Sequence, residues 1–111
     1  MSRIRTKGFM HSKSKGLEKL KSIIKDSKQI EDPYKLAAFY LKETINRQPF
    51  SDGNHRTGYI IAKRCVRNNY ESFNLTEFLD ADQIQQDMKW EVKTRDIGEI
   101  ANWIKTGKFE N

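Results

Sequence analysis

The sequence predicts an all-α domain of about five or six helices around a central helix-loop-helix. Two observations carry that reading. From residue 16 onward, apolar residues recur at three- and four-residue intervals, the spacing of one helix face and not of a strand. The turn and stop residues (Asp32-Pro33, Pro49, Gly53, Gly107) fall between those segments, where helices begin and end. A chain of 111 residues holds one modest core and is too short for two. We divide it into a basic lead-in, residues 1–15, and a single domain, residues 16–111.

The lead-in is basic and polar, relieved only by Gly8, Phe9, Met10 and His11, and reads as irregular or extended. From Gly16 to about Lys25, the spacing of Leu17, Leu20 and Ile24 predicts a short amphipathic helix. Its other face carries Lys15, Lys19 and Ser22, flanked by Lys21 and Lys25, which is the pattern of a solvated surface. Asp32 as N-cap and Pro33 in the first turn start the next helix. Ala37, Tyr40, Leu41, Thr44 and Ile45 share one of its faces, and Leu36 and Phe39 widen it, so the helix is expected to be covered on more than one side. It ends near Arg47, because Pro49 cannot continue it and disfavours a helical Gln48.

A third helix opens at Asn54 and runs to about Asn68, with Gly58, Ile61, Ala62 and Cys65 inward. Asn68 and Asn69 end it by tolerating left-handed geometry. A short connector, residues 70–75, leads to a helix over residues 77–93 that turns Phe78, Ala81, Ile84 and Met88 inward. Thr94 caps a last helix, in which Ile97, Ile100, Ala101 and Ile104 repeat the stripe until Gly107 stops it.

Hydrophobic residues make up 36% and charged residues 32%, the balance of a water-soluble domain. No apolar run approaches the roughly eighteen residues that span a bilayer, so no membrane partner is expected. The basic N-terminus has no apolar stretch behind it, so no secretory signal is read there and cytoplasmic residence is the default expectation. Cys65, the lone cysteine, falls on the apolar face of a helix and reads as a small core residue. A net charge of +6 favours an anionic partner without choosing among nucleotide, nucleic acid and acidic protein.

Residues 48–58 concentrate the chemistry. Asp52-Gly53-Asn54 forms a tight bend that Gly53 makes without steric cost, and Asn54 is placed to cap the helix that follows. Such a helix start presents orphan N–H groups and the positive end of a dipole to an anion. Arg56, in the first turn, can grip phosphate oxygens with its planar fork. Asp52 can hold Mg²⁺, which commonly takes one or two carboxylates beside substrate phosphates. The alternative is a plain helix-loop-helix turn in which these are only turn and surface residues.

The stretch Gln48-Pro49-Phe50-Ser51-Asp52-Gly53-Asn54-His55-Arg56-Thr57 resembles the signature of the Fic/Doc (Fido) family, His-x-Phe-x-(Asp/Glu)-(Gly/Ala)-Asn-x-Arg. The likeness extends to Asp32-Pro33-Tyr34-Lys35-Leu36-Ala37-Ala38 before it, to Cys65-Val66-Arg67-Asn68-Asn69-Tyr70 after it, and to the closing residues 96–104, as in short Doc-like members. The resemblance implies transfer of AMP, phosphate or another phosphate-containing group from ATP or another nucleotide to a hydroxyl of a target protein, with Mg²⁺. An antitoxin partner is implied as well. By position, Asp52 is the metal ligand, and Gly53, Asn54, His55 and Thr57 line the phosphates. Arg56 neutralises their charge, and Phe50 anchors the loop.

Three positions depart from that family. Gln48 stands where the catalytic histidine belongs, and an amide cannot take up a proton near neutral pH. Loss of a general base typically lowers a rate by about 10²–10⁴-fold. Tyr59 stands where many AMP-transferring members have a second arginine, which brings the chain nearer the Doc-like branch. His55 replaces a glycine or lysine. His11, the only other histidine, lies in the segment where the family's target-binding flap often lies and reads as an exposed side chain. The tail, residues 106–111, superficially fits the family's inhibitory pattern, but its glutamate would need the second arginine, so we read it as chance. Three functions therefore stand open: an impaired transferase, an inactive phosphate- or protein-binding module, and a nucleic-acid binder using Lys15, Lys19, Lys21 and Lys25.

Overall fold

The computed structural model describes the backbone of residues 2–75, 84 and 86–109, and side chains from residue 15 onward. Among these residues every regular element is helical. The core is built on α2 (Pro33–Arg47). Asp32 caps it by accepting the N–H of Lys35 at 3.0 Å, and Pro33 occupies the first turn, where a missing N–H costs nothing. As its wide apolar face requires, Tyr34, Ala37, Ala38, Phe39, Leu41, Thr44 and Ile45 are all buried. The helix stops where Gln48 turns left-handed, at φ 50° and ψ 63°, ahead of Pro49.

α3 (Asn54–Asn68) packs on α2 through Gly58, Tyr59, Ala62 and Val66. A Cβ added at Gly58 would stand 3.2 Å from Thr44 Cβ and 3.3 Å from Leu41 Cδ1, so the bare glycine lets the two helices close. Cys65 is half-buried against the core, as expected of a small apolar residue. The left-handed residue after this helix is Tyr70 (φ 60°), not Asn69 (φ −100°). Asn69 instead donates its side-chain amide to the carbonyl of Cys65 at 2.8 Å, which satisfies the helix end and moves the sharp turn one residue on.

The N-terminal segment corrects the sequence reading twice. α1 is one helix, Ser2–Ser27, so the lead-in is helical rather than irregular. Its buried stripe is Gly16, Ile23 and Ser27, with Leu20 half-buried, whereas Leu17 and Ile24 are 52% and 45% exposed. The stripe is offset by one residue because the helix rests on backbone. A Cβ at Gly16 would collide with the carbonyl oxygen of buried Pro49, so only glycine lets α1 approach this closely. Arg47 ties α1 to α2, donating to Ser22 Oγ at 2.8 Å, to Asp26 Oδ2 at 3.1 Å and to Glu43 Oε1 at 2.6 Å.

The connector after α3 is held to the body of the domain. Tyr34 Oη donates to the Ser72 carbonyl at 2.7 Å, and Asn74 N–H donates to the Ile104 carbonyl at 3.2 Å. Phe73 packs edge-on to Tyr59. Phe78 and Ala81 lie outside the described residues, while Ile84 and Met88 are buried as expected. A π-helical turn, π1 (Asp87–Glu91), runs into α4 (Val92–Thr94), and its Val92 N–H bonds the Asp87 carbonyl five residues back.

Thr94 does not cap the last helix. Its hydroxyl donates back to the Trp90 carbonyl at 3.0 Å, and Arg95 is extended. Asp96 caps α5 (Ile97–Thr106) through a full capping box with Glu99. Ile100, Ala101, Trp103 and Ile104 of α5 enter the core against α2. Gly107, at φ 85°, ends it. No described helix is long and apolar enough to cross a membrane.

Candidate functional site

The loop between α2 and α3 is shaped by Asn54, though not by capping. Gly53 is the N-cap residue, left-handed at φ 72° and ψ 25°, and no side chain caps α3. Asn54 is the first helical residue and turns its amide back onto Phe50, accepting the N–H of Phe50 at 3.0 Å and donating to its carbonyl at 2.9 Å. A ring closed in this way fixes the bend by local hydrogen bonds. It also leaves the first turn of α3 without a side-chain acceptor, which suits an anion. The Gly53 N–H is already used: Asp52 Oδ1 accepts from it at 2.8 Å.

In front of this helix start lies a cleft of about 980 Å³, walled by Asp52, Gly53, Asn54, His55 and Arg56 on one side and Gln86, Lys89 and Lys93 on the other. Five expected site residues therefore meet in one place. Gln48, Phe50 and Thr57 do not line it. Gln48 is exposed at the end of α2, Phe50 is half-buried with its backbone clamped by Asn54, and Thr57 is half-buried on α3. Gln86, Lys89 and Lys93 were not among the expected site residues. The available signal was their spacing, three and then four residues apart, which puts all three on one helix face.

Charge in the cleft is lopsided. Among the described lining residues, Arg56, Lys89 and Lys93 stand against one carboxylate, Asp52. None of the three cations is ion-paired to another described residue. His55 has its Nε2 shut away from solvent without a hydrogen-bond partner among the described residues. Burial holds its pKa below the ordinary imidazole value, and the nearby charges of Lys93 and Lys89 lower it further. Both effects disfavour the charged ring. Such an arrangement can bind an anion and, with Asp52, has one carboxylate for a divalent cation; no larger cluster of His, Cys, Asp and Glu able to hold a metal occurs among the described residues.

Tyr59 is buried, at 1% exposure, with its ring centroid 5.4 Å from that of Phe73, so the position faces the core and not the cleft. His11 lies among the residues whose side chains are not described.

No curated protein and no solved structure matches the chain. The sequence profile of the Fic/DOC family matches residues 9–65, about half of the chain. The matched segment includes most of α1, all of α2, the loop with Pro49, Phe50, Asp52, Gly53 and Asn54, and most of α3. The all-helical fold agrees with it, and the chain belongs to the Fic/DOC family.

Proposed function

We propose that the protein binds the phosphates of ATP or a related nucleotide at the start of α3 and is a Fic/Doc-type transferase acting on a hydroxyl of a target protein, slowed by Gln48. The observation that carries this reading is the cleft itself, in which an uncapped helix start, Arg56 and two lysines converge. Arg56 offsets the charge that accumulates on the transferred phosphoryl group, and the backbone at Asn54 and His55 positions it. Asp52, exposed on the cleft wall, would hold Mg²⁺, which would neutralise charge on the donor's phosphates.

In the transfer, the target's hydroxyl oxygen forms a bond to phosphorus while the bond from phosphorus to the leaving phosphate or nucleotide breaks. The hydroxyl proton must also leave. Gln48 can accept a hydrogen bond from that hydroxyl but cannot take its proton, so the proton passes to water or to the leaving group. A target protein and a restraining antitoxin are the partners of this reading.

Two other readings have an observation each. Gln48 stands outside the cleft at the end of α2, which favours a binding module that has lost turnover. Lys15, Lys19, Lys21 and Lys25 are exposed along α1, as a nucleic-acid stripe would be. Labelled-nucleotide incorporation into cell-extract proteins with Mg²⁺ separates the first two: we expect Gln48→His to raise it by about 10²-fold or more. An unchanged signal, with nucleotide still bound, would leave the binding module. Nucleic-acid binding that falls steeply with salt and ignores Arg56→Ala would favour the third reading.

A further inference from the structure

The cleft has a second wall that the helix start does not explain. Gln86, Lys89 and Lys93 reach it from the segment around π1 and α4, while Met88 and Val92 of the same segment are fully buried. One face of this segment is therefore fixed in the core and the other is presented to the loop. A single π turn inside a helix rotates the residues beyond it relative to those before, a common way to aim side chains at a site. Both lysines line the same cleft as His55 and Arg56, so their charge is presented to the loop. Meanwhile Tyr59, which occupies the position of the family's second arginine, is committed to the core.

We propose that Lys89 and Lys93 grip the outer phosphates of an oligophosphate whose inner phosphate rests on α3 and Arg56. The proposal depends on the α3 reading above. It makes the site selective for two or more linked phosphates, because a lone phosphate on α3 leaves the lysines unused. Lysine suits the role as a mobile point charge on a flexible stem, able to follow phosphates in several geometries.

The test uses the full chain titrated with inorganic tripolyphosphate and, separately, orthophosphate, followed by calorimetry. Trp90 offers a second readout: it is 64% exposed, and Lys89 Nζ lies 5.8 Å from its ring centroid, so capture of Lys89 by phosphate should alter its emission. Lys89→Gln/Lys93→Gln should lose tripolyphosphate affinity by about tenfold or more per lysine. Orthophosphate affinity should change by less than about threefold, since screened charges at a distance contribute little. Lys89→Arg/Lys93→Arg should restore the tripolyphosphate binding. If the glutamine pair binds tripolyphosphate as wild type does while Arg56→Ala loses it, the lysine wall is disproved and the α3 site stands. If wild type binds neither ligand, both fall.

Discussion

Asn54 spends both ends of one side-chain amide on one backbone residue, Phe50, and the loop's shape follows from that ring of bonds. Removing it leaves a partly buried N–H and carbonyl without partners, each worth about 1 kcal/mol. At about 2 kcal/mol for the two together, Asn54→Ala should lower Tm by roughly 8–16 °C and abolish tripolyphosphate binding. Asn54→Asp, which keeps the acceptor for Phe50 N–H and loses the donor, should fall between the two in a thermal melt. Gln48 presents the opposite case, a residue whose backbone is costly and whose chemistry is poor. Left-handed geometry is uncommon for a residue with a side chain, yet histidine is among those that adopt it most often. The backbone at this position thus accepts Gln48→His, and the gain-of-transfer experiment tests chemistry and not folding.

Among the elements, α1 has the most conditional hold on the domain. It touches the loop through Gly16 and Pro49, and a methyl group at Gly16 has no room, with the Pro49 carbonyl carbon at 3.1 Å and its oxygen nearer still. Alanine normally stabilises a helix interior relative to glycine by about 0.5–1 kcal/mol. Here the sign should reverse. Gly16→Ala should destabilise by about 1–3 kcal/mol or more in urea unfolding, since backbone cannot step aside as a side chain can. Such a change displaces α1 from the loop, so phosphate binding should weaken with it. α5 shows the contrasting case, fastened by its capping box, by the buried Trp103 and by the Phe109 ring stacked on that tryptophan at 4.6 Å.

For the molecule as a whole, His55 links the site to global stability. Its folded pKa is lowered by burial and by Lys93 and Lys89, so the unfolded chain binds the proton more readily. Stability from this group is therefore complete above the unfolded value of about 6.5 and declines as pH falls through the folded one. Urea unfolding between about pH 7 and pH 5 should show a loss that His55→Gln flattens. Below that range the carboxylates, with ordinary values near 4, take over. An unchanged slope in the variant would mean that another group titrates there.

The helices of the core were legible because apolar spacing and caps are local: Asp32-Pro33 starts α2, Pro49 stops it, and Gly107 ends α5 whatever lies around them. The motif of residues 48–57 was legible for the same reason, since its residues form their bend with one another. Where neighbours compete, local rules misled. Thr94 has the right chemistry to cap α5, but Asp96 with Glu99 forms the better pair. Leu17 and Ile24 looked like the inner face of α1 until close packing on Pro49 selected the stripe one residue earlier.

By itself, then, the sequence determined the all-helical fold, the bend at Gly53 and the set of groups offered there, because each depends on residues within a turn of one another. Tertiary structure alone decided that Lys89 and Lys93 complete the cleft, that Tyr59 faces the core and that Gln48 stays outside. Those outcomes depend on how helices distant along the chain are rotated against each other, and that rotation is set by the fit of buried surfaces such as Gly16 on Pro49 and Gly58 on Thr44.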